Sequence, residues 1–239
     1  MAKIKLYRYE NFVDVRAGIL EENHAIRNGS NDIPVKKRLV YKATKRLLDF
    51  VISALLLVLL SPLFLIVAVI IKCTSKGHVF YTQKRVGMDG KELHLYKFRS
   101  MVDGADEMID SFTPEQKAEY MENYKLAHDP RITRFGHFLR KLSIDELPQL
   151  LNIFKGEMSF IGPRPVVMAE LERYGKYKEL FLSAKPGLTG YWAVNGRSAT
   201  SYEDRMRLEL YYVEHASLWL DAKIFFKTFT VVLYHEGAY

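Results

Sequence analysis

The chain has 239 residues, of which 49% are hydrophobic, enough to build a core of one or two domains. Its formal charge of +7 and isoelectric point near 9.3 point to an anionic partner: nucleic acid, an anionic lipid surface or a phosphorylated substrate. A single cysteine, Cys73, excludes an internal disulfide framework and fits a reducing compartment.

Residues 1–40 alternate briefly at Ile4, Leu6 and Tyr9, then turn polar through Glu21-Glu22-Asn23 and Asn28-Gly29-Ser30-Asn31. That pattern predicts a short strand or arm followed by a linker. Lys42, Lys45 and Arg46 come next, and Lys45 stands at i, i+4 to Asp49. The two are expected to pair, which lowers the cost of a carboxylate near lipid.

Residues 47–71 hold no Lys, Arg or Glu, and Asp49 is their one formal charge. As a single α-helix they would be about 38 Å long, against a hydrocarbon core of about 30 Å. A membrane segment is expected, and the lipid surface then takes precedence over nucleic acid as the anionic partner. The segment lies behind a charged leader with no small-residue cleavage site after it, so it is expected to stay as an anchor.

Pro62 removes an amide donor at the centre of this run and crowds the carbonyl four residues back, so a bend is expected at Ser61-Pro62. Lys42, Lys45 and Arg46 flank one end, and Lys72, Lys76, Lys84 and Arg85 the other. The positive-inside rule therefore favours neither end. A re-entrant helix, entering and leaving by one face, satisfies both flanks provided Ser61 Oγ or neighbouring protein takes up the freed carbonyl. A proline-kinked spanning helix is the other solution, and the flanks do not choose between them.

Beyond the anchor, residues 77–81 and 92–99 alternate like the strands of a β-hairpin joined through Gly87 and Asp89-Gly90. Thr113-Pro114-Glu115-Gln116 supplies an N-cap, a proline at the first helical position and a capping glutamine, which predicts a polar helix to about residue 126. Arg131, Arg134, His137, Arg140 and Lys141 alternate with Ile132, Phe135, Phe138 and Leu139 at helical spacing, as in a helix lying on lipid or on the core. Residues 186–192 form a loop rich in turn residues, and residues 217–235 a strongly apolar, aromatic helix carrying Asp221, Lys223 and Lys227.

The candidate chemistry lies in residues 143–165, SIDELPQLLNIFKGEMSFIGPRP. Ser143-x-x-Glu146 reads as a capping box, so Asp145 and Glu146 have a plain role in stabilising a helix start. The same geometry offers chemistry. An ionised Asp145 can attack phosphorus to give an acyl phosphate, while Glu146 holds a divalent cation. Displacement at a diphosphate also needs cations around the transferred and leaving oxygens. Arg140 and Arg164 are candidates, the second fixed between Pro163 and Pro165.

Lys97 and Arg99 share one face of the predicted strand, as phosphate ligands or as a solvated face. Asp221 in its apolar helix calls for a cation or a metal, and Lys223 or Lys227 are its local partners. No histidine pair has zinc-ligand spacing, and neither a Walker loop nor a GxGxxG is present.

Several stretches together resemble the monotopic bacterial sugar transferases, polyprenyl-phosphate phosphoglycosyl transferases. They are KRLLDF leading to Ser61-Pro62, QKRVGMDGKELHLYKFRSM, DPRITRFGHFLRKLSIDELPQLLNIFKGEMSFIGPRP, KPGLTGYWAVNGRS and SLWLDAK. Each alone is weak, and their order makes the match specific. The resemblance implies an α/β, mostly helical membrane-associated catalytic domain with a small β-hairpin, on a re-entrant helix broken at Ser61 and Pro62. The expected division is an arm over 1–40, the re-entrant helix over 41–75 and a catalytic domain with interfacial helices over 76–239.

The resemblance also implies transfer of a sugar-1-phosphate from a UDP-sugar to a polyprenyl (undecaprenyl) phosphate, with Mg²⁺ as cofactor and UMP released. This is the first membrane step of a glycan pathway, at the cytoplasmic face of a bacterial inner membrane. Asp145 maps onto the nucleophile and Glu146 onto its metal-binding neighbour, with Asp145 as a second metal ligand; Lys97, Arg140, Arg164 and Asp221 map onto active-site positions. Larger members carry spanning helices ahead of this domain, so the chain resembles the minimal form. The bilayer is an expected partner and nucleic acid is not; a homodimer and downstream glycosyltransferases are compatible with the role. The rival reading is a non-enzymatic membrane module that binds lipid or a partner through basic amphipathic helices.

Overall fold

The computed structural model describes residues 35–123, 126–196 and 200–233. The arm and linker expected over 1–40 lie, up to residue 34, outside the described residues, as do residues 234 and 235 of the predicted C-terminal helix.

The apolar run divides into two helices, α1 (Val35–Leu59) and α2 (Ser61–Thr74), bent by 59° at Leu60. Pro62 causes the break, and Ser61 Oγ donates to the Val58 carbonyl at 2.8 Å, the acceptor that the proline ring frees. No single described helix is long and apolar enough to cross a membrane, whereas the bent pair together meets that requirement. Both ends return to the same body. At one end Arg46 donates to the Ile153 and Phe154 carbonyls, and Asp49 accepts from Ser159 Oγ and Phe160 N. At the other, Val67 and Ile71 pack on Phe98 and Leu139. One side of the bend, at Leu56, Leu60 and Phe64, covers the core, and the other exposes Leu55, Val58, Leu59, Leu65 and Ile66.

The hairpin is present, with β1 at Phe80–Val86 and β2 at Glu92–Phe98 paired antiparallel. The first strand begins later than the alternation suggested and takes in the charged Lys84 and Arg85. On β2, Leu93 and Leu95 are buried and Lys97 follows on the same face; Phe98 turns to the other, against α2. α3 (Pro114–Asn123) starts as expected, with Thr113 and Gln116 exchanging side-chain-to-backbone bonds of 3.0 and 3.3 Å. α4 (Arg134–Lys141) is the amphipathic helix, with Leu139 fully buried and Phe138 exposed. Arg131 stays outside it, bound to buried Asp129 through Nε and Nη2 at 2.8 and 2.7 Å, and so holds a loop.

The remaining elements are mostly helical: α5 (Leu150–Lys155), β3 (Ser159–Ile161), α6 (Met168–Glu172), α7 (Lys178–Leu182), β4 (Gly187–Thr189), α8 (Tyr191–Asn195), α9 (Tyr202–His215) and α10 (Leu218–Leu233). β3 and β4 pair in parallel, so what the sequence reads as a loop at 186–192 contains a strand and the start of a helix. The loops there meet backbone to backbone, since a Cβ on Gly187 would fall 2.1 Å from Gly162 N. Among the described residues the fold is mostly helical with two small two-stranded sheets.

Lys45 does not pair with Asp49, as its spacing suggested. Its ammonium lies 2.7 Å from Asp221 Oδ2 on α10, where Tyr41 and Tyr212 also donate, at 3.0 and 2.7 Å. Asp221 collects donors from α1 and α9, a stronger site for an ammonium than an aspartate already satisfied by the β3 backbone. Lys223 and Lys227 are therefore not its hydrogen-bonded partners; Lys223 lies over the Trp219 ring and Lys227 donates to Asn195 Oδ1.

Candidate active site

The carboxylates sit on a short turn whose shape comes from one residue. α4 is capped by Thr133 Oγ1, which accepts Gly136 N at 2.8 Å, and stops at Leu142. Ser143 then adopts the left-handed region, φ 56°, at a cost of about 1 kcal/mol or more for a side chain with a Cβ. A 3₁₀ turn follows over Ile144–Gln149, with Pro148 inside it. The expected capping box does not form. Ser143 lacks the extended backbone of an N-cap and makes no capping bond, and the Glu146 carboxylate turns instead to Lys97. The ionisation of the dyad is therefore set by side-chain cations and burial, not by a helix terminus.

Lys97 Nζ lies 2.9 Å from Glu146 Oε1, both side chains mostly covered. The alignment of β2 with the turn is fixed by Asn152 on α5, which is fully buried. Its Oδ1 accepts Tyr96 N at 3.1 Å, and its Nδ2 donates to the His94 carbonyl and to Glu157 at 2.7 Å each. Arg140 reaches across α4, its Nε donating to Ser100 Oγ at 2.9 Å. Arg164 follows β3, its backbone N–H donating to Glu209 Oε1 at 3.0 Å and its guanidinium 5.9 Å from the Trp192 ring centre.

Asp145 is buried, and its pKa rises to about 6. Desolvation is the main cause and Glu146 the second, opposed by Lys97 and Arg140. Glu146 behaves oppositely. Burial works against its charge, but Lys97, Arg164 and Arg140 outweigh it and hold the group at about 2. Two adjacent carboxyls thus have separated acidities, Glu146 pulled down by the cations and Asp145 pushed up by burial, a pattern frequent where carboxylates do chemistry.

Lys97, Glu146 and Arg164 line one narrow cleft, together with Gln83, Arg85, Gln149, Trp192 and Glu209. Asp145 and Arg140 do not line it: Asp145 is buried next to Glu146, and Arg140 acts on the dyad from the side. Two candidates go elsewhere. β2 ends at Phe98, so Arg99 does not continue the Lys97 face; its Nη2 donates to the Ser75 carbonyl and Oγ at 3.0 and 2.8 Å, at the end of α2. Asp221 lines neither the cleft nor the dyad and ties α1 to α9 and α10.

The sequence reading had no role in the cleft for Arg85, Glu209 or Trp192. Arg85 stood only as a flanking cation of the anchor, yet burial and then Arg164 push it below the usual arginine range. Glu209 is fully buried on α9, and desolvation raises it to about 7 against the Arg164 N–H and the charges of Arg205 and Arg164. An acid inside the otherwise apolar Leu208-Glu209-Leu210 was the available signal.

The profile of the family described as bacterial sugar transferase matches residues 40–235. The chain belongs to the bacterial sugar transferase family. An exopolysaccharide production protein of Sinorhizobium fredii is 45% identical over 199 residues, covering 82% of this chain and 88% of the relative. An undecaprenyl-phosphate galactose phosphotransferase of Salmonella typhimurium is 45% identical over 82% of this chain. A UDP-glucose:undecaprenyl-phosphate glucose-1-phosphate transferase of Klebsiella pneumoniae is 38% identical over 82%. The chain spans 41% of the length of each of these last two. The matched region of this sugar transferase family member takes in α1 from residue 40 onward, α2 and the whole cleft.

No group of three or more His, Cys, Asp or Glu with metal-site geometry occurs among the described residues. Mg²⁺ does not require one, because it keeps several waters and takes one or two carboxylates plus substrate phosphates. Asp145 and Glu146 are hard oxygen donors, with the Glu146 charge near enough to oppose ionisation of Asp145, a donor set that fits a small divalent cation.

Proposed function

We propose that this sugar transferase family member is a phosphoglycosyl transferase that moves a hexose-1-phosphate from a UDP-sugar to a polyprenyl phosphate through a phospho-Asp145 intermediate. The observation that carries the reading is the buried Asp145 beside Glu146, whose carboxylate binds Lys97 at 2.9 Å in a cleft it shares with Arg164, while Arg140 acts on the pair from the side. The galactose and glucose named for the relatives support a UDP-hexose as donor.

In the first half-reaction an Asp145 carboxylate oxygen attacks the phosphorus that carries the sugar. The bond to the bridging oxygen breaks, and UMP leaves with both electrons. At pH 7 about nine-tenths of a group with pKa 6 is ionised, so the nucleophile needs no separate base. Lys97 and Arg164, at the cleft wall, hold the diphosphate oxygens and take up their charge as the bond breaks. Arg140, fixed by Ser100, opposes the rise in the Asp145 pKa that burial and Glu146 impose. Asp145 and Glu146 would hold Mg²⁺, which supplies Lewis-acid neutralisation of the diphosphate when bound. In the second half-reaction an oxygen of the polyprenyl phosphate attacks the same phosphorus and returns Asp145 as a carboxylate.

We place the bent pair α1–α2 in one leaflet of the bacterial inner membrane, with the cleft on the cytoplasmic side. Both ends of the pair pack on one body, and a chain that crossed would separate them. In a symmetric V bent by 59°, each arm lies about 30° from the membrane plane, so an apolar arm of roughly 20 Å sinks about 10 Å. The donor arrives from water and the acceptor from lipid, and a covalent intermediate lets one carboxylate serve both in turn.

The test is purified protein in nanodiscs with undecaprenyl phosphate, Mg²⁺ and a panel of UDP-sugars, read as UMP release. Turnover with one or more UDP-hexoses that vanishes in Asp145→Asn supports the reading. Lipid binding without UMP release supports the non-enzymatic module, and inorganic phosphate in place of UMP supports a phosphatase.

A further inference from the structure

A second cavity, of about 960 Å³, opens between the first turns of α1, the corner joining α9 to α10, and residues 183–185. Its size is at the upper end of the roughly 300–1,000 Å³ usual for ligand sites. It shares no lining residue with the catalytic cleft. Ile161 lines this cavity while Gly162 lines the cleft, so β3 separates them.

The walls are mainly apolar, with Val40, Ile161, Val213 and Leu218 among them. Four cations, Lys42, Lys45, Arg46 and Lys185, also line it, against the carboxylates Asp49 and Glu214. Their neutralisation is uneven. Lys45 is paired with Asp221, and Asp49 accepts from Ser159 Oγ and Phe160 N while keeping its charge, so Lys42, Arg46 and Lys185 exceed Asp49 and Glu214 by one. Arg46 donates only to main-chain carbonyls, which leave its charge in place. Lys185 is half-buried and has no hydrogen-bond or ion-pair partner among the described residues. Burial, then Arg46 and more weakly Lys45, push its ammonium below the usual lysine range, against the opposing charge of Asp49.

The position of the cavity narrows the class of ligand. α1 exposes Leu47, Leu48, Phe50 and Val51 around its Asp49 end, and α10 exposes Trp219 next to its Leu218 wall and Phe226 two turns on. Two apolar faces flank a cationic, apolar-walled hollow, the arrangement that matches an anionic amphiphile at headgroup depth.

We propose that this cavity holds the headgroup and upper acyl chain of an anionic glycerophospholipid, its phosphate against Lys185 and Arg46 and its chain along Val40, Val213 and Leu218. The separation from the cleft makes this a structural lipid and not the acceptor. Such a lipid bridges α1 to the α9–α10 corner and adds to the Lys45–Asp221 tie. The inference rests on the membrane placement of α1–α2 proposed above.

The experiment uses the full-length protein in vesicles of phosphatidylcholine with or without phosphatidylglycerol, first by flotation and then by native mass spectrometry of the extracted protein. The expected result is flotation with both compositions and one retained phosphatidylglycerol, preferred about tenfold over phosphatidylcholine. Lys185→Gln lowers that preference about fivefold, the contribution of one interfacial cation. Ala184→Trp, which fills the cavity without changing charge, abolishes retention and serves as the second variant should Lys185→Gln fold poorly. Flotation with equal retention of both lipids, or retention unchanged in both variants, overturns the cavity assignment alone. Failure to float overturns the membrane placement instead. Displacement of the lipid by millimolar glycerol 3-phosphate would assign the site to a free phosphate and refute the lipid.

Discussion

Replacing Lys97 by methionine keeps the stem that continues the Leu93 and Leu95 face and removes the ammonium 2.9 Å from Glu146. Lys97 is the foremost cation holding Glu146 anionic and the foremost one opposing the rise of Asp145. An opposite charge at close range lowers a carboxyl pKa by about one unit or more, about 1.4 kcal/mol. The rising limb of the rate profile, set by ionisation of Asp145 near pH 6 in the wild type, therefore moves up by about one pH unit in Lys97→Met. Loss of a preorganised cation facing the diphosphate adds a fall of about 10²-fold in kcat. The assay is UMP release from pH 5 to 9 at saturating donor. A limb still near pH 6, together with a rate within threefold of wild type, would refute the electrostatic account of the site.

Asp145→Asn should abolish turnover yet leave the fold as stable as the wild type or more so, because it removes a buried charge that Glu146 opposes; thermal unfolding checks this, and a marked drop would contradict the burial argument. The two carboxyls should act oppositely on stability. The folded Asp145 keeps its proton up to about pH 6 where an unfolded carboxyl loses it near 4, so its contribution falls as pH rises between those values; Glu146, held near 2, adds stability as pH rises from about 2 to 4.5, which a denaturant titration across pH would resolve in the Asp145→Asn and Glu146→Gln variants. Asp221→Ala strands Lys45, Tyr41 and Tyr212 and should cost about 3 kcal/mol, read as a lower thermal midpoint and faster proteolysis at the α9–α10 corner, with the KM for donor unchanged; a KM defect at full stability would instead return Asp221 to the active site. With Cys73 as the sole cysteine, exposed at the end of α2, and a second introduced by Lys42→Cys, an impermeant maleimide should reach both from the cytoplasmic side only; labelling from opposite sides would mean that the pair crosses.

What was legible in the sequence was local. The break at Pro62, the rescue of its freed carbonyl by Ser61, the cap at Thr113 and Gln116 and the amphipathic α4 follow from neighbours within four residues, which fixed spacing reveals. What was not legible depends on distant chain. Lys45 has an acid four residues away and takes Asp221, 176 residues away, because Tyr41 on α1 and Tyr212 on α9 complete that carboxylate's shell with hydroxyls. Ser143 matches a capping pattern, but its left-handed backbone is imposed by docking the turn on β2, which no pattern of side chains encodes. Arg99 alternates in phase with Lys97, yet the strand stops one residue short. Arg85 and Glu209 enter the cleft only through the β1–β2 pairing and the packing of α9.

The most direct measurement is intact-mass and peptide analysis of the protein incubated with a UDP-hexose and Mg²⁺ in the absence of lipid acceptor. The account predicts one equivalent of UMP and a hexose-phosphate adduct on the peptide containing Asp145, discharged when undecaprenyl phosphate is added. UMP formed only when donor and acceptor are present together, with no adduct at any time, would contradict it.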